Sequence, residues 1–497
     1  MNASQTIVSR TLIAVSFFAL VHFGFGFLLG LSVDEAHYAL YAIHPDWSYF
    51  DHPPLVGWIQ IIPAMLNAPD GIIRLIPETL WSLGIWISCC NAKKILQLFG
   101  NPSNAVNPIS AQCWTAIILL GSVILHILSV GLLPDTLLLP LVSAMIYQSL
   151  LMIEQYKSQH TIQIRSWLLL GLILGLSALS KYTSIFFALA IPICIISLTS
   201  WRACLSAGFA LGMILAAICI APILYWNANH EWISFIYQLK HGAGGEWKLK
   251  RLLLFFVNQI LCYGPLPLLG LYVTLKYKLI NNKSILLFFL IPFCIFAYMS
   301  GGGGSLPHWT SPAWVALSPI SGIGIAFIWN KGQRKLTTLF ISLQFLIISL
   351  GFILLFTGGI PWIDKTHPLG QKNPIADLYG WSNAGIRAVN LSKKFNTTSI
   401  TVQNWTLASR IGWYARPYPI FVLDDRFDQF DLWFGNIPNH ETSILINWSQ
   451  MPYDPPVREN QFEKCELVDQ LPVDRLNRTI AQFDFYLCTN WRGKSPS

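Results

Sequence analysis

Residues 11–31, TLIAVSFFALVHFGFGFLLGL, form an uncharged apolar run, and residues 33–57, VDEAHYALYAIHPDWSYFDHPPLVG, follow it at once. A run of about 20 apolar residues is long enough to cross a bilayer as a helix. The stretch behind it carries Asp34, Glu35 and Asp51 beside His37, His44 and His52, with Tyr38, Tyr41, Trp47, Tyr49 and Phe50 among them. Acids and imidazoles gathered at the mouth of a span are expensive to keep there without a task. The two stretches read as a first span and a first outer loop, and the loop as the working surface of a membrane enzyme.

Composition agrees. The 497-residue chain is 54% hydrophobic and 11% charged, with a mean hydropathy of +0.50, whereas soluble domains carry about a quarter charged residues. The net charge of +8 is spread over short loops between apolar runs, as the positive-inside rule expects, and this argues against a nucleic-acid partner. Arg10 precedes the first run and no A-x-A-like site precedes Asp34, so that run reads as an uncleaved span rather than a signal peptide. Most of the ten cysteines lie in apolar runs without paired C-x-x-C spacing, as small buried hydrophobes do. Cys465 and Cys488 lie in the polar tail, where free and paired states both stay open.

Apolar runs place eleven spans, at about 11–31, 72–92, 109–128, 134–153, 166–180, 183–200, 204–224, 252–274, 284–300, 308–329 and 337–359. Residues 55–66 are apolar but too short to span, with Pro53-Pro54 ahead and Pro63 inside, and read as an interfacial helix. A cytoplasmic N-terminus puts Lys93-Lys94, residues 157–165, Arg202, residues 276–283 and residues 331–335 inside. The loops 32–71, 129–134, 180–182, 225–251 and 301–307, and everything after 360, then lie outside; only Lys248, Lys250 and Arg251 depart from the rule. The expected fold is an α-helical polytopic membrane domain, residues 1–359, whose outer catalytic loop is 32–71. A small α/β domain, residues 360–497, follows on the outer face. In it, apolar stretches at 399–403, 420–423, 443–446 and 483–488 read as strands and 406–414 as a short helix.

The chemically rich groups all fall outside. Asp34-Glu35 can take a proton from an attacking hydroxyl, hold a metal or cap the following helix, and Asp135 after Pro134 offers the same choices. The double proline behind Asp51-His52 fixes the backbone, and the pair suits a divalent cation or a phosphate. Lys181 can snorkel or bind a lipid phosphate. His230, His241 and His308 are polar loop residues or ligands, and His308-Trp309 also fits an aromatic belt. Arg74 pairs most simply with Glu78, four residues on. Gly301 to Gly304 offer a hinge or a close-approach backbone. No Walker loop, Rossmann fingerprint or HExxH occurs, so no nucleotide cofactor is expected.

The ordered set DEAHY, YFDHPPLVGW, LLPDT, GLILGLSALSKYT, PILYWNANHEWISF and PHWTSPAW resembles the bacterial dolichyl-phosphate-mannose-protein mannosyltransferase family, relatives of the lipid A aminoarabinose transferases. These are GT-C-type glycosyltransferases that take a sugar from a polyprenyl-phosphate carrier at the outer face of the membrane. The resemblance covers about residues 10–330 and implies a sugar transferred with inversion to a glycan, lipid A or protein acceptor. It implies Asp34, Glu35 and Asp135 as catalytic acids, and His52 and Lys181 near the carrier phosphate; Arg74, Tyr38 and His308 join them as candidate binding residues from their positions at the outer face. A divalent metal at Asp51 and His230 is implied too, although Asp51-His52 stands where the aminoarabinose transferases have Glu-Lys. A Gram-negative inner membrane is the implied location. The rival reading is a transporter or flippase of a lipid-linked sugar, whose acids would lie deep within the spans.

Overall fold

The structure, a computed structural model of the chain, describes residues 3–303, 305–455 and 461–493. Among the described residues, seven helices are long and apolar enough to cross a membrane: Gln5–Leu28, Asp70–Phe99, Pro134–Gln159, Ala207–Asn229, Ser284–Gly302, Pro307–Asn330 and Lys335–Thr357. Two further pairs, Pro108–Leu120 with Val123–Val130 and Leu249–Tyr263 with Leu266–Lys276, bend by 77° and 95°, and raise the number to nine if each is one span. The expected spans at 166–180 and 183–200 are the shorter apolar helices Ile164–Ser180 and Tyr182–Leu198. At 1.5 Å per residue each reaches roughly 25 Å, short of a hydrocarbon core about 30 Å thick. Helix therefore covers every expected span, and seven to nine of these helices meet the length for crossing. The chain is built as a multi-pass membrane protein.

In lipid a broken helix must satisfy its freed backbone groups within the protein, and both bends do so. At the first, His126 Nε2 meets the Leu120 carbonyl at 2.8 Å, and Gln344 Nε2 donates to the Gly121 carbonyl at 2.9 Å. At the second, Gly264 with φ +76° and Pro265 end the helix, and the same Gln344 amide reaches the Tyr263 carbonyl at 3.2 Å.

The chain packs as two compact units that do not follow the linear sequence. The first comprises the residues up to Gly24, Asp46–Val56 and Arg74–Ile348. Its centre is the Ser311–Asn330 helix, apolar all round and buried along almost its whole length. Helices Ile164–Ser180 and Ala207–Asn229 approach closely because Gly171 faces Gly212: a Cβ at Gly171 would lie 2.1 Å from the Gly212 carbonyl oxygen.

The second unit comprises Phe25–Pro45, Gly57–Ile73 and the chain from Ser349 onward. Its sheet runs in the order β2-β1-β3-β5-β4, with β1 Ser399–Val402, β2 Ile420–Val422, β3 Ser443–Trp448, β4 Phe462–Arg475 and β5 Arg478–Trp491. β1 pairs in parallel with β2 and β3, and β5 pairs antiparallel with β3 and β4. β1, Ser-Ile-Thr-Val, is buried at all four positions, whereas β4 is an edge strand with exposed charges and was not visible as a strand in the sequence pattern. Cys465 and Cys488, opposite one another in β4 and β5, form a disulfide. The stretch expected as one interfacial helix is two short ones, Leu55–Trp58 and Ile61–Met65, and Ile62, Met65 and Leu66 are strongly exposed.

Candidate active site

In the second unit, helix Val33–Ile43 presents the first acids. Its N-cap is Ser32, whose backbone N–H donates to Glu35 Oε2 at 3.0 Å. Glu35 is buried and serves as the reciprocal carboxylate of the cap. Of the alternatives for Asp34, the cap falls away: the cap closes through Ser32 and Glu35, and Asp34 sits half-buried in the first turn. Tyr38 is buried with its ring against His37 and Tyr41.

Helix Trp405–Tyr414 of the tail packs along this segment. Ser409 Oγ gives its proton to the Trp405 carbonyl at 2.7 Å, so it accepts from His37 Nδ1 at 3.1 Å, which assigns the His37 tautomer. Tyr414 Oη accepts from the Leu31 N–H at 2.8 Å and donates to Asp70 Oδ2, while Trp413 Nε1 donates to Asp70 Oδ1 at 3.1 Å. Residues 31 and 70, at the two ends of the loop that follows the first long helix, are therefore tied to one helix of the tail domain.

In the first unit, Asp135 lies at the start of helix Pro134–Gln159 but does not cap it; Thr136 takes the Leu133 N–H at 3.2 Å instead. Lys181 Nζ donates to Asp135 Oδ2 at 2.6 Å, with both side chains almost wholly buried (6% and 1% exposed). Ser180 Oγ donates to the Pro134 carbonyl at 2.8 Å and holds the two backbones in place. His308 Nε2 stands 3.6 Å from the same carboxylate oxygen, and the Lys181 ammonium lies 5.3 Å from the Trp309 ring centre. The turn carrying His308 is fixed by Tyr263, which donates to the Pro307 carbonyl at 2.8 Å, and by Thr310, which donates to Gln259 Oε1 at 2.6 Å. Asp135 Oδ1 is buried and has no hydrogen-bond partner among the described residues. Lys181 is thus an ion-pair member rather than a snorkelling side chain.

Residues 46–52 belong to the same unit and are held by helices Ala207–Asn229 and Ile233–Ala243. Trp226 Nε1 donates to Asp46 Oδ2 at 2.8 Å, the Phe50 and Tyr237 rings stand 4.6 Å apart, and Gln238 Nε2 donates to the Asp51 carbonyl. Tyr182 Oη bonds Ser234 at 2.8 Å. His230 stacks on Trp226 at 3.9 Å with Nδ1 2.8 Å from the Trp226 carbonyl, so only Nε2 could ligate. Among the described residues no three His, Cys, Asp or Glu side chains gather as metal ligands. Asp51 and His230 thus belong to no cluster of three such side chains among the described residues.

Arg74 is buried at the start of helix Leu75–Phe99, but Glu78 turns to His22, whose Nδ1 lies 2.8 Å from Glu78 Oε2. This corrects the expected Arg74–Glu78 pair. His22 Nε2 in turn meets His126 Nδ1 at 2.8 Å. Gly301 and Gly302 form a seat for the preceding loop: Gly245 and Lys248 donate backbone N–H groups to Gly302 and Gly301, and a Cβ at Gly301 would lie 2.0 Å from the Trp247 indole. Gly304 lies outside the described residues. Asp46, Asp70, Ser409 and Arg410 escaped the sequence reading because nothing in their spacing sets them apart from ordinary loop and helix residues.

Residues 51–226 match the family model for dolichyl-phosphate-mannose-protein mannosyltransferase. That span contains Asp51, His52, Arg74, Asp135 and Lys181, and leaves out Asp34, Glu35, Tyr38, His230 and His308. No curated protein sequence matches the chain. Among solved structures, ArnT from Cupriavidus metallidurans bound to undecaprenyl phosphate is similar over 98% of this chain and 99% of its own, with a TM-score of 0.65 and 14% identity. The same protein in the apo state is similar over 99% of both chains, with a TM-score of 0.60 and 14% identity. The fold, helices of a membrane domain followed in the chain by a small sheet domain, is that of ArnT.

Proposed function

We propose that this chain is an integral membrane glycosyltransferase that moves a sugar from a polyprenyl-phosphate carrier to a hydroxyl of a glycan, lipid A or protein acceptor. The observation that carries this reading is the mannosyltransferase match of residues 51–226 on a chain that shares the ArnT fold from end to end. The Cys465–Cys488 disulfide supports an oxidising outer face for the tail, as in a Gram-negative periplasm.

Asp34 is the general base. The acceptor oxygen attacks the anomeric carbon, its proton passes to the Asp34 carboxylate, the carbon–oxygen bond to the carrier phosphate breaks, and the configuration inverts. Glu35 acts as the helix cap. Lys181, oriented by Asp135, together with His308 and His52, offsets the charge that develops on the leaving phosphate; such preorganised stabilisation is usually the largest catalytic contribution. Tyr38 and Arg74 are further candidates for contact with the donor. No step runs through a metal ion or a nucleotide.

The flippase reading draws on the Glu78–His22–His126 chain inside the helices. That chain ends on the Leu120 carbonyl at the helix break, which suits closing a backbone defect better than carrying a substrate. The deciding experiment follows label from a panel of polyprenyl-phosphate sugars into membrane acceptors, with Asp34→Asn beside the wild type. Transfer that disappears in the folded variant supports the proposal; a fully active Asp34→Asn protein removes Asp34 as base, and carrier flipping without transfer favours the alternative.

A further inference from the structure

Arg410 is completely buried in the tail domain. Its guanidinium stacks on Trp381 at 3.7 Å, Nη1 donates to Asp377 Oδ1 and Nε donates to the Thr406 carbonyl at 3.1 Å. Nη2 has no hydrogen-bond partner among the described residues. A buried cation with one idle donor is costly, because desolvation outweighs a single ion pair unless other groups share its field. Asp377 alone is a weak counter-charge, since its side chain is 29% exposed.

The neighbouring residues show where the rest of that field goes. Ser409, adjacent to Arg410, accepts from His37, one helical turn beyond Asp34. Tyr414, one turn on from Arg410, takes the Leu31 N–H just before the same helix. Arg410 and Asp34 thus belong to two packed helices, near enough for the Asp34 charge to act on the guanidinium. Burial pushes the pKa of Arg410 down, while Asp377 and then Asp34 push back.

We propose that Arg410 is a positioning residue for Asp34: a buried cation from the tail domain keeps the first-loop carboxylate charged and oriented to receive the acceptor proton. The inference rests on the reading of Asp34 as general base. It makes the tail a working part of the reaction, since its helix Trp405–Tyr414 supplies the charge that keeps the base deprotonated.

The test is the pH profile of kcat in full-length protein. Arg410→Gln should lift the acid limb by about one pH unit, the low end of the effect of a neighbouring opposite charge. Asp377→Asn leaves Arg410 in place and removes its competing carboxylate, so the limb should move down by roughly half a unit; it decides the matter if Arg410→Gln fails to fold. Tyr414→Phe, which loses the Leu31 and Asp70 bonds but no charge, should leave the limb where it is. Acid limbs unmoved in the folded Arg410→Gln or Asp377→Asn enzymes, whatever happens to the rate, overturn the inference and leave the glycosyltransferase reading standing. Absence of transfer by the wild type from every polyprenyl-phosphate donor overturns that reading and the inference with it.

Discussion

Replacing Lys181 by Met tests the buried pair at the start of helix Pro134–Gln159. The wild-type contact is 2.6 Å between side chains 6% and 1% exposed, so neither charge has water to fall back on. Methionine keeps the length and apolar stem of lysine and removes only the ammonium. Asp135 is then left as a buried carboxylate that already carries one unpartnered oxygen, with the His308 imidazole 3.6 Å away. Breaking a buried pair in this way costs about 3–5 kcal/mol; relief from His308 places the expectation near the lower end, about 3 kcal/mol. Asp135→Asn/Lys181→Met removes both charges and should recover most of the loss, giving a coupling of about 2 kcal/mol in a double-mutant cycle. Unfolding of the four proteins in detergent or nanodiscs measures it. A loss below about 1 kcal/mol for Lys181→Met, the size typical of a solvated surface pair, would show that water reaches the site and refute the reasoning. Transfer should stay low in the double variant, because it recovers stability without restoring the cation.

Gly171→Ala sets a helix-propensity gain of about 1 kcal/mol against a methyl placed 2.1 Å from the Gly212 carbonyl oxygen. Backbone cannot yield as a side chain can, so the variant should lose about 1–3 kcal/mol net, read from detergent unfolding. Cys465→Ser/Cys488→Ser opens a link across a sequence separation of 23 residues and should cost the tail about 3 kcal/mol by the chain-entropy account, seen as faster proteolysis of the tail, with reductant doing the same to the wild type. Asp428 is buried, which holds its carboxyl up at about 6, with Asp431 and Asp424 adding to the rise and the Phe430 N–H and His37 opposing it. A folded value above the unfolded one means that the folded state retains the proton longer, so stability is highest below about pH 4, falls as pH rises to about 6, and stays lower beyond. Asp428→Asn keeps an N-cap acceptor for the Phe430 N–H, should flatten that slope, and should raise stability at pH 7–8 by about 1–2 kcal/mol in urea unfolding.

Much of this protein can be read locally. Spanning helices need only a length of apolar residues, because in lipid each helix satisfies its own backbone, and the buried parallel strands of the tail announce themselves in the same way. Helix bends near Gly121 and Gly264 were not legible, since apolar composition continues through them, whereas the polar break at Lys181 between two short helices was. β4 was missed because an edge strand with exposed charges lacks the alternation that burial imposes.

The acids behave likewise. Sequence alone placed Asp34, Glu35 and Asp135 at helix starts on one side of the chain, and there the cap and the catalyst look the same. Only the tertiary structure separated them, by giving the cap to Ser32 and Glu35 and by bringing Lys181 from 46 residues away onto Asp135. It also took the segments on either side of residues 46–56 into the unit that contains the tail, against the order of the chain. Local pattern reports what each segment would bury; which charge meets which is set by pairings distant in sequence, and these exist only once the helices and the sheet have packed.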